Sequence, residues 1–183
     1  MTVLAPVLRF ATLEGDAPRP SRLMSRRSRA REVALQLLFQ RDTNATVPRP
    51  AVEEFARERL LDNDDLVRFC LSLYDGVLSH SADIDGKLTA AAENWRLPRM
   101  AAVDRNVLRL GVYELLFTPE TPPNAALDEA IELARRYGAK DSPAFVNGVL
   151  DRVHRLRIAD PTTAPPDSGD RESAVRNPQS AIE

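Results

Sequence analysis

Between residues 100 and 117 the chain is apolar nearly all the way round a helical wheel, with Val103, Val107, Leu108, Leu110, Val112, Leu115, Leu116 and Phe117. A helix that is hydrophobic on every side has to be enclosed by other elements. This segment therefore predicts a central buried helix, and the remaining sequence has to supply the shell around it.

The shell is helical in period throughout. A first helix over about 25–41 carries Ala30, Val33, Ala34, Leu37 and Leu38 at i, i+3, i+4, i+7 and i+8. The loop Asp42–Pro50 ends it, and a short helix over about 51–61 follows with Val52, Phe55, Ala56 and Leu60. Leu66, Phe69, Cys70, Leu73 and Val77 stripe a helix over about 64–79. Ser81 is a candidate cap for a fourth helix carrying Ile84, Leu88, Ala91 and Trp95, which Pro98 breaks. Beyond the central helix, Pro119, Pro122 and Pro123 force a stop. Asn124 is a candidate cap for a helix striped by Leu127, Ala130, Ile131 and Ala134 and closed by Gly138. Ser142 followed by Pro143 predicts a cap and a first helical residue for a last helix with Val146, Val149, Leu150 and Val153. No stretch alternates with period two, so the expected fold is all-α with about seven helices.

Low aromatic content, 5%, and 43% hydrophobic residues agree with a helical core. Residues 1–24, with Gly15, Pro18 and Pro20, are expected to form a disordered extension. Residues 158–183, with Pro161, Pro165, Pro166, Gly169 and Pro178, are expected to form a disordered tail. Residues 25–157 are then the folded domain, and Met24 is a candidate translation start. Cys70 is the only cysteine, which excludes an internal disulfide and suits a reducing cytoplasm. No signal peptide or membrane span is read in the sequence.

Catalysis finds no support among the residues. The 7 glycines are scattered and form no phosphate-binding loop. His80 and His154 lack companions at ligand spacing, so neither a metal nor a cofactor is expected and the protein is not expected to be an enzyme. Charge is more informative. The formal net charge is -2, yet Arg19, Arg22, Arg26, Arg27, Arg29 and Arg31 follow one another with no acid between Pro18 and Arg31. Codon bias explains why the cations are arginine, since Lys87 and Lys140 are the only lysines, but it does not explain the clustering. A helix N-terminus already favours anions, and arginine adds forked donors that match phosphate oxygens. RNA binding is the function these features suit, with a solvated basic end as the alternative.

Two aromatics bear on that choice. Phe39 lies off the Ala30–Leu38 stripe, on the Leu35 side, where it could stack on a base of a single strand or pack a sandwiched helix against a second set of helices. Phe145 and Asn147 flank Val146 at the start of the last helix, just after Lys140 and Ser142, and form a second candidate contact with RNA. Burial of Phe145 in the core is the other reading.

Four blocks then resemble the bacterial antitermination factor family NusB. They are Arg29-Ala30-Arg31-Glu32 with Ala34 and Gln36; Asn94-Trp95; Val103-Asp104-Arg105 leading to Leu108-Arg109 and Val112-Tyr113-Glu114-Leu115; and Asp128 to Ala134, Tyr137-Gly138, Ser142 and Phe145 to Asp151. They occur in family order and cover about residues 25–155. The resemblance implies seven helices in two small packed bundles at right angles. It also implies binding of boxA single-stranded RNA together with the ribosomal protein NusE, within the antitermination complex of RNA polymerase on ribosomal RNA operons. It maps RNA contacts onto Arg26, Arg27, Arg29, Arg31, Phe39 and the segment Lys140 to Asn147, including Ser142 and Phe145. Asp128 stands where the family commonly has Asn. Ala144 stands where a basic residue is frequent, which would remove one phosphate contact. Homodimerisation and the partner-binding residues stay open.

The same domain resembles the RNA-binding front end of ribosomal RNA cytosine methyltransferases. That enzyme needs a further α/β domain and catalytic cysteines, which 183 residues and a single Cys70 in a core stripe do not supply. A stand-alone relative of that domain, or a helical protein-interaction module, is the remaining alternative.

Overall fold

The helix expected at the centre is there. In the computed structural model, which describes residues 26–92 and 97–159 with side chains as far as Arg157, Ala102–Phe117 packs against five other helices. The described residues form α1 (Arg26–Thr43), α2 (Arg49–Arg59), α3 (Asp64–Ser79), α4 (Ser81–Ala91), a 3-10 turn (Leu97–Arg99), α5 (Ala102–Phe117), α6 (Pro123–Tyr137) and α7 (Ser142–Ala159). No strand occurs among them. The block Asn94-Trp95, the extension expected at 1–24 and most of the tail expected at 158–183 lie outside the described residues.

Contacts divide the helices into two groups, α1–α3 and α4–α7, and α5 is the element shared between them. One continuous core results. Leu35, Leu37, Leu73, Ile84, Leu88, Leu108, Leu110, Leu115 and Leu150 are its largest fully buried apolar members. Leu35 lies off the expected stripe of α1, yet it is buried along with Ala30, Val33, Ala34, Leu37 and Leu38. A helix packed on α2, α3 and α5 at once buries more than one face. The central helix also departs from its expected character: Asn106 and Glu114 are buried inside it, whereas Val103, Leu116 and Phe117 are only partly buried. Among the described residues, no helix is long and apolar enough to cross a membrane.

Several helix ends differ from the sequence expectation for identifiable reasons. Helix α2 starts at Arg49 with Pro50 in its first turn, where proline's missing N–H costs no bond. It ends at Arg59 because Leu61 and Asp62 take left-handed backbone angles, φ 55° and 52°. The proposed caps Ser81 and Asn124 do not cap. His80 and Pro122 occupy those positions, and neither side chain bonds the helix end. The Ser142 hydroxyl turns back to accept the Ala139 N–H at 2.9 Å, while the Asp141 carbonyl accepts the Phe145 N–H at 3.1 Å. Helix α7 therefore begins one residue earlier than the Ser-Pro pair suggests.

Candidate nucleic-acid interface

The basic cluster heads α1, and burial sorts its arginines into different roles. Arg26 and Arg27 are exposed, and Arg29 is 40% exposed at its side chain. Arg29 donates to Glu32 within the same helix face. Arg31 is only 5% exposed. Its Nε lies 2.9 and 3.0 Å from the two carboxylate oxygens of Glu114, its Nη2 lies 2.7 Å from Oε1, and its Nη1 lies 3.8 Å from Glu129. The expectation that Arg31 faces a phosphate is therefore corrected. One helical turn carries it from the solvent end of α1 into the contact with α5, where the Glu114 carboxylate takes up its Nε–H and one Nη2–H. Burial pushes the Glu114 carboxyl above its usual range, and the opposing pull of Arg31 does not cancel that.

Two side-chain links bring α6 to the same end. Ser28 Oγ donates to Glu129 at 2.6 Å, and the Tyr137 hydroxyl hydrogen-bonds Glu32. Burial, together with the bond and charge of Glu32, raises the Tyr137 phenol well above its ordinary value, so the hydroxyl stays a donor at any physiological pH. Arg29 and Arg136 both act electrostatically on Tyr137, which places them around it. After Tyr137 comes the turn that starts α7. Gly138 is needed there because a Cβ would lie 2.5 Å from Ser142 Cβ and 2.7 Å from the Ala134 carbonyl. This close approach holds Lys140 and Asn147, both exposed, beside the start of α7.

The other proposed contacts are placed less simply. Ser142 is 3% exposed, and its hydroxyl is bound within the turn, so it shapes the turn. Phe145 is partly buried and packs against the core. Phe39 is also partly buried. Twelve residues separate it from Arg27, about 18 Å along the helix axis at 1.5 Å per residue. Ser28 and Glu32 thus tie the first two turns of α1 to α6, Lys140 follows three residues after Tyr137, and Phe39 lies at the far end of α1.

Sequence reasoning missed three features of this end. Arg135 and Arg136 lie in the last turn of α6, and both pair with Glu132. Their signal was available as two adjacent cations just before Tyr137-Gly138. Glu32, Glu114 and Glu129 hold the basic helix in place, but nothing local in sequence marks them as partners. Phe69 was read only as part of the α3 core stripe. It is partly buried, and the Arg27 and Arg31 guanidinium carbons lie 5.1 and 5.2 Å from its ring centroid.

A second polar network lies at the other end of α1. Asp42 accepts from Arg105 at 2.7 Å and from Asn106 at 2.9 Å, and Arg109 forks onto Asp85 at 2.8 Å. Burial alone would raise the Asp42 carboxyl, but those two hydrogen bonds and the charges of Arg105 and Arg109 outweigh it and hold it below its usual value.

Comparison with known proteins finds relatives over the folded helices. The NusB family profile matches residues 28–155. Over 130 residues the chain is 47% identical to the transcription antitermination protein NusB of Sorangium cellulosum, covering 71% of this chain and 92% of that protein. It is 43% identical over 137 residues to the NusB protein of Elusimicrobium minutum, covering 73% of this chain and 96% of that protein. Among solved structures, it resembles a chain in the crystal structure of the antitermination factors NusB and NusE with double-stranded RNA. That match has a TM-score of 0.66 at 28% identity and covers 73% of this chain and 99% of that one. With the profile covering most of the folded helices, and relatives above 40% identity matched over nearly their whole length, the chain belongs to the NusB family.

Proposed function

We propose that this protein is a transcription antitermination factor that binds boxA-type single-stranded RNA together with the ribosomal protein NusE, and so keeps RNA polymerase processive on ribosomal RNA operons. What supports the reading is that Arg26, Arg27 and the half-exposed Arg29 lie at the start of α1 and Lys140 in the turn after α6, with Ser28–Glu129 and Tyr137–Glu32 linking the two helices. The N-terminus of α1 also favours anions there through its helix dipole. The family relatives named transcription antitermination protein and the solved complex of NusB, NusE and RNA support the assignment of partners.

In this reading Arg26, Arg27, Arg29 and Lys140 neutralise phosphates, and Asn147 offers a side-chain amide to phosphate or base. Ser142 sets the turn, and Phe145 braces the first turn of α7 from the core side. Phe39 takes part only if the strand runs the length of α1. The protein works by binding and has no catalytic step, and it acts in the cytoplasm, where nascent transcripts are.

The test is a titration of labelled boxA RNA with the full chain, alone and with NusE. Weak binding alone and tight binding together is the expected result. No binding in either arm would refute the reading and leave a helical interaction module.

A further inference from the structure

Of the four arginines that head α1, two are tied to carboxylates: Arg29 to Glu32, and Arg31 to Glu114. Arg27 is held differently. It makes no ion pair or hydrogen bond with the described residues, yet its guanidinium carbon lies 5.1 Å from the centroid of the Phe69 ring on α3. That distance is within the range of a cation–π contact. Arg31, one turn along, sits 5.2 Å from the same centroid.

Two cations at one ring would repel each other if both were bare. They are not equivalent, because Glu114 neutralises Arg31 through three hydrogen bonds. Of the two, Arg27 is the one that faces solvent, with Glu114 acting on it only through space.

The kind of contact also matters. A carboxylate occupies the N–H donors of a guanidinium, whereas an aromatic face attracts the cation electrostatically without accepting those donors. A ring can therefore fix the position of Arg27 while leaving its fork unoccupied. An exposed arginine loses side-chain freedom when it grips a phosphate, and contact with the ring lowers that cost in advance.

We propose that Phe69 is a positioning residue of the RNA interface, acting through Arg27 by holding its guanidinium ready for a phosphate oxygen. The inference rests on the RNA-binding reading above and adds α3 to the elements that build the site.

The experiment is a double-mutant cycle of Phe69→Leu and Arg27→Ala, read as affinity of the full chain for labelled boxA RNA with NusE present. Phe69→Leu should weaken binding about two- to fivefold, the size of an exposed cation–π contact, and should leave the salt slope unchanged because no charge is removed. In the Arg27→Ala background it should have no further effect. Phe69→Tyr, which keeps the ring, should bind as the parent does. It also provides the comparison if Phe69→Leu melts early. Arg27→Lys, with the ring intact but the planar fork gone, should then weaken binding equally in the parent and in the Phe69→Tyr background. Equal effects of Phe69→Leu with and without Arg27, or full affinity in Arg27→Lys, would overturn the role of Phe69 and leave RNA binding standing. Full affinity in Arg27→Ala would instead count against the basic end itself.

Discussion

Arg31 is the residue on which the sequence and the structure disagree most, and its removal discriminates between them. Its side chain is 6% exposed and that of Glu114 is 2%, with three hydrogen bonds between them at 2.7–3.0 Å. Glu114→Ala leaves a buried guanidinium whose next carboxylate is Glu129, 3.8 Å away. Breaking a buried pair from one side costs about 3–5 kcal/mol, which for a domain of this size lowers Tm by about 10–20 °C. Replacing both partners, Arg31→Met with Glu114→Leu, removes two desolvated charges together, and such exchanges are commonly neutral or stabilising by about 1–4 kcal/mol. The double variant should therefore melt near the parent or above it, and well above either single variant. It also leaves the net charge unchanged, so boxA affinity and its salt dependence should be preserved. Thermal melts followed by circular dichroism, with RNA titrations on the same samples, measure both. A single Arg31→Met variant that loses less than about 1 kcal/mol would refute the buried-pair argument. A well-folded double variant that loses as much RNA affinity as Arg27→Ala would show that Arg31 faces RNA after all.

Further outcomes follow from other parts of the molecule. Replacing Arg26 and Arg27 with alanine should reduce the slope of log affinity against log salt by about 0.7 for each phosphate no longer neutralised, with a loss in the melts no larger than the Arg27–Phe69 contact, about 0.5–1 kcal/mol; an unchanged slope would exclude both from the phosphate-binding set. Gly138→Ala should cost about 1–3 kcal/mol by overpacking, since its Cβ would meet the Ala134 carbonyl at 2.7 Å and Ser142 at 2.5 Å. It should also weaken RNA binding through the displaced turn, as urea melts and titration would report. Asp42 has a lowered carboxyl pKa, so its contribution is present above the ordinary value of 3.8 and is lost as pH falls through the lower folded value. Asp42→Asn should therefore be less stable than the parent at pH 7, by about 0.5–1 kcal/mol after solvent screening. That gap should narrow in melts near pH 3, and a gap that widens there would reverse the assigned sign.

Much of this molecule was readable from local pattern. The stripe of Leu66, Phe69, Cys70, Leu73 and Val77 gave α3 its span, Asp64–Ser79. The largely apolar run placed α5 at the centre, because a helix with apolar residues on most of its faces has to be enclosed wherever its neighbours lie; the partners of its Arg105, Asn106, Arg109 and Glu114 came only from the packing. The clustering of arginines without acids marked one end as basic before any fold was known. Tertiary structure alone decided what each arginine does. Arg27 and Arg31 differ by one turn and look alike in sequence, yet one is exposed beside Phe69 and the other is locked to Glu114 across 83 residues of chain. Helical period specifies which face a residue occupies. The identity of its partner depends on how distant helices pack, and the cost of an unpaired buried charge then fixes that pairing.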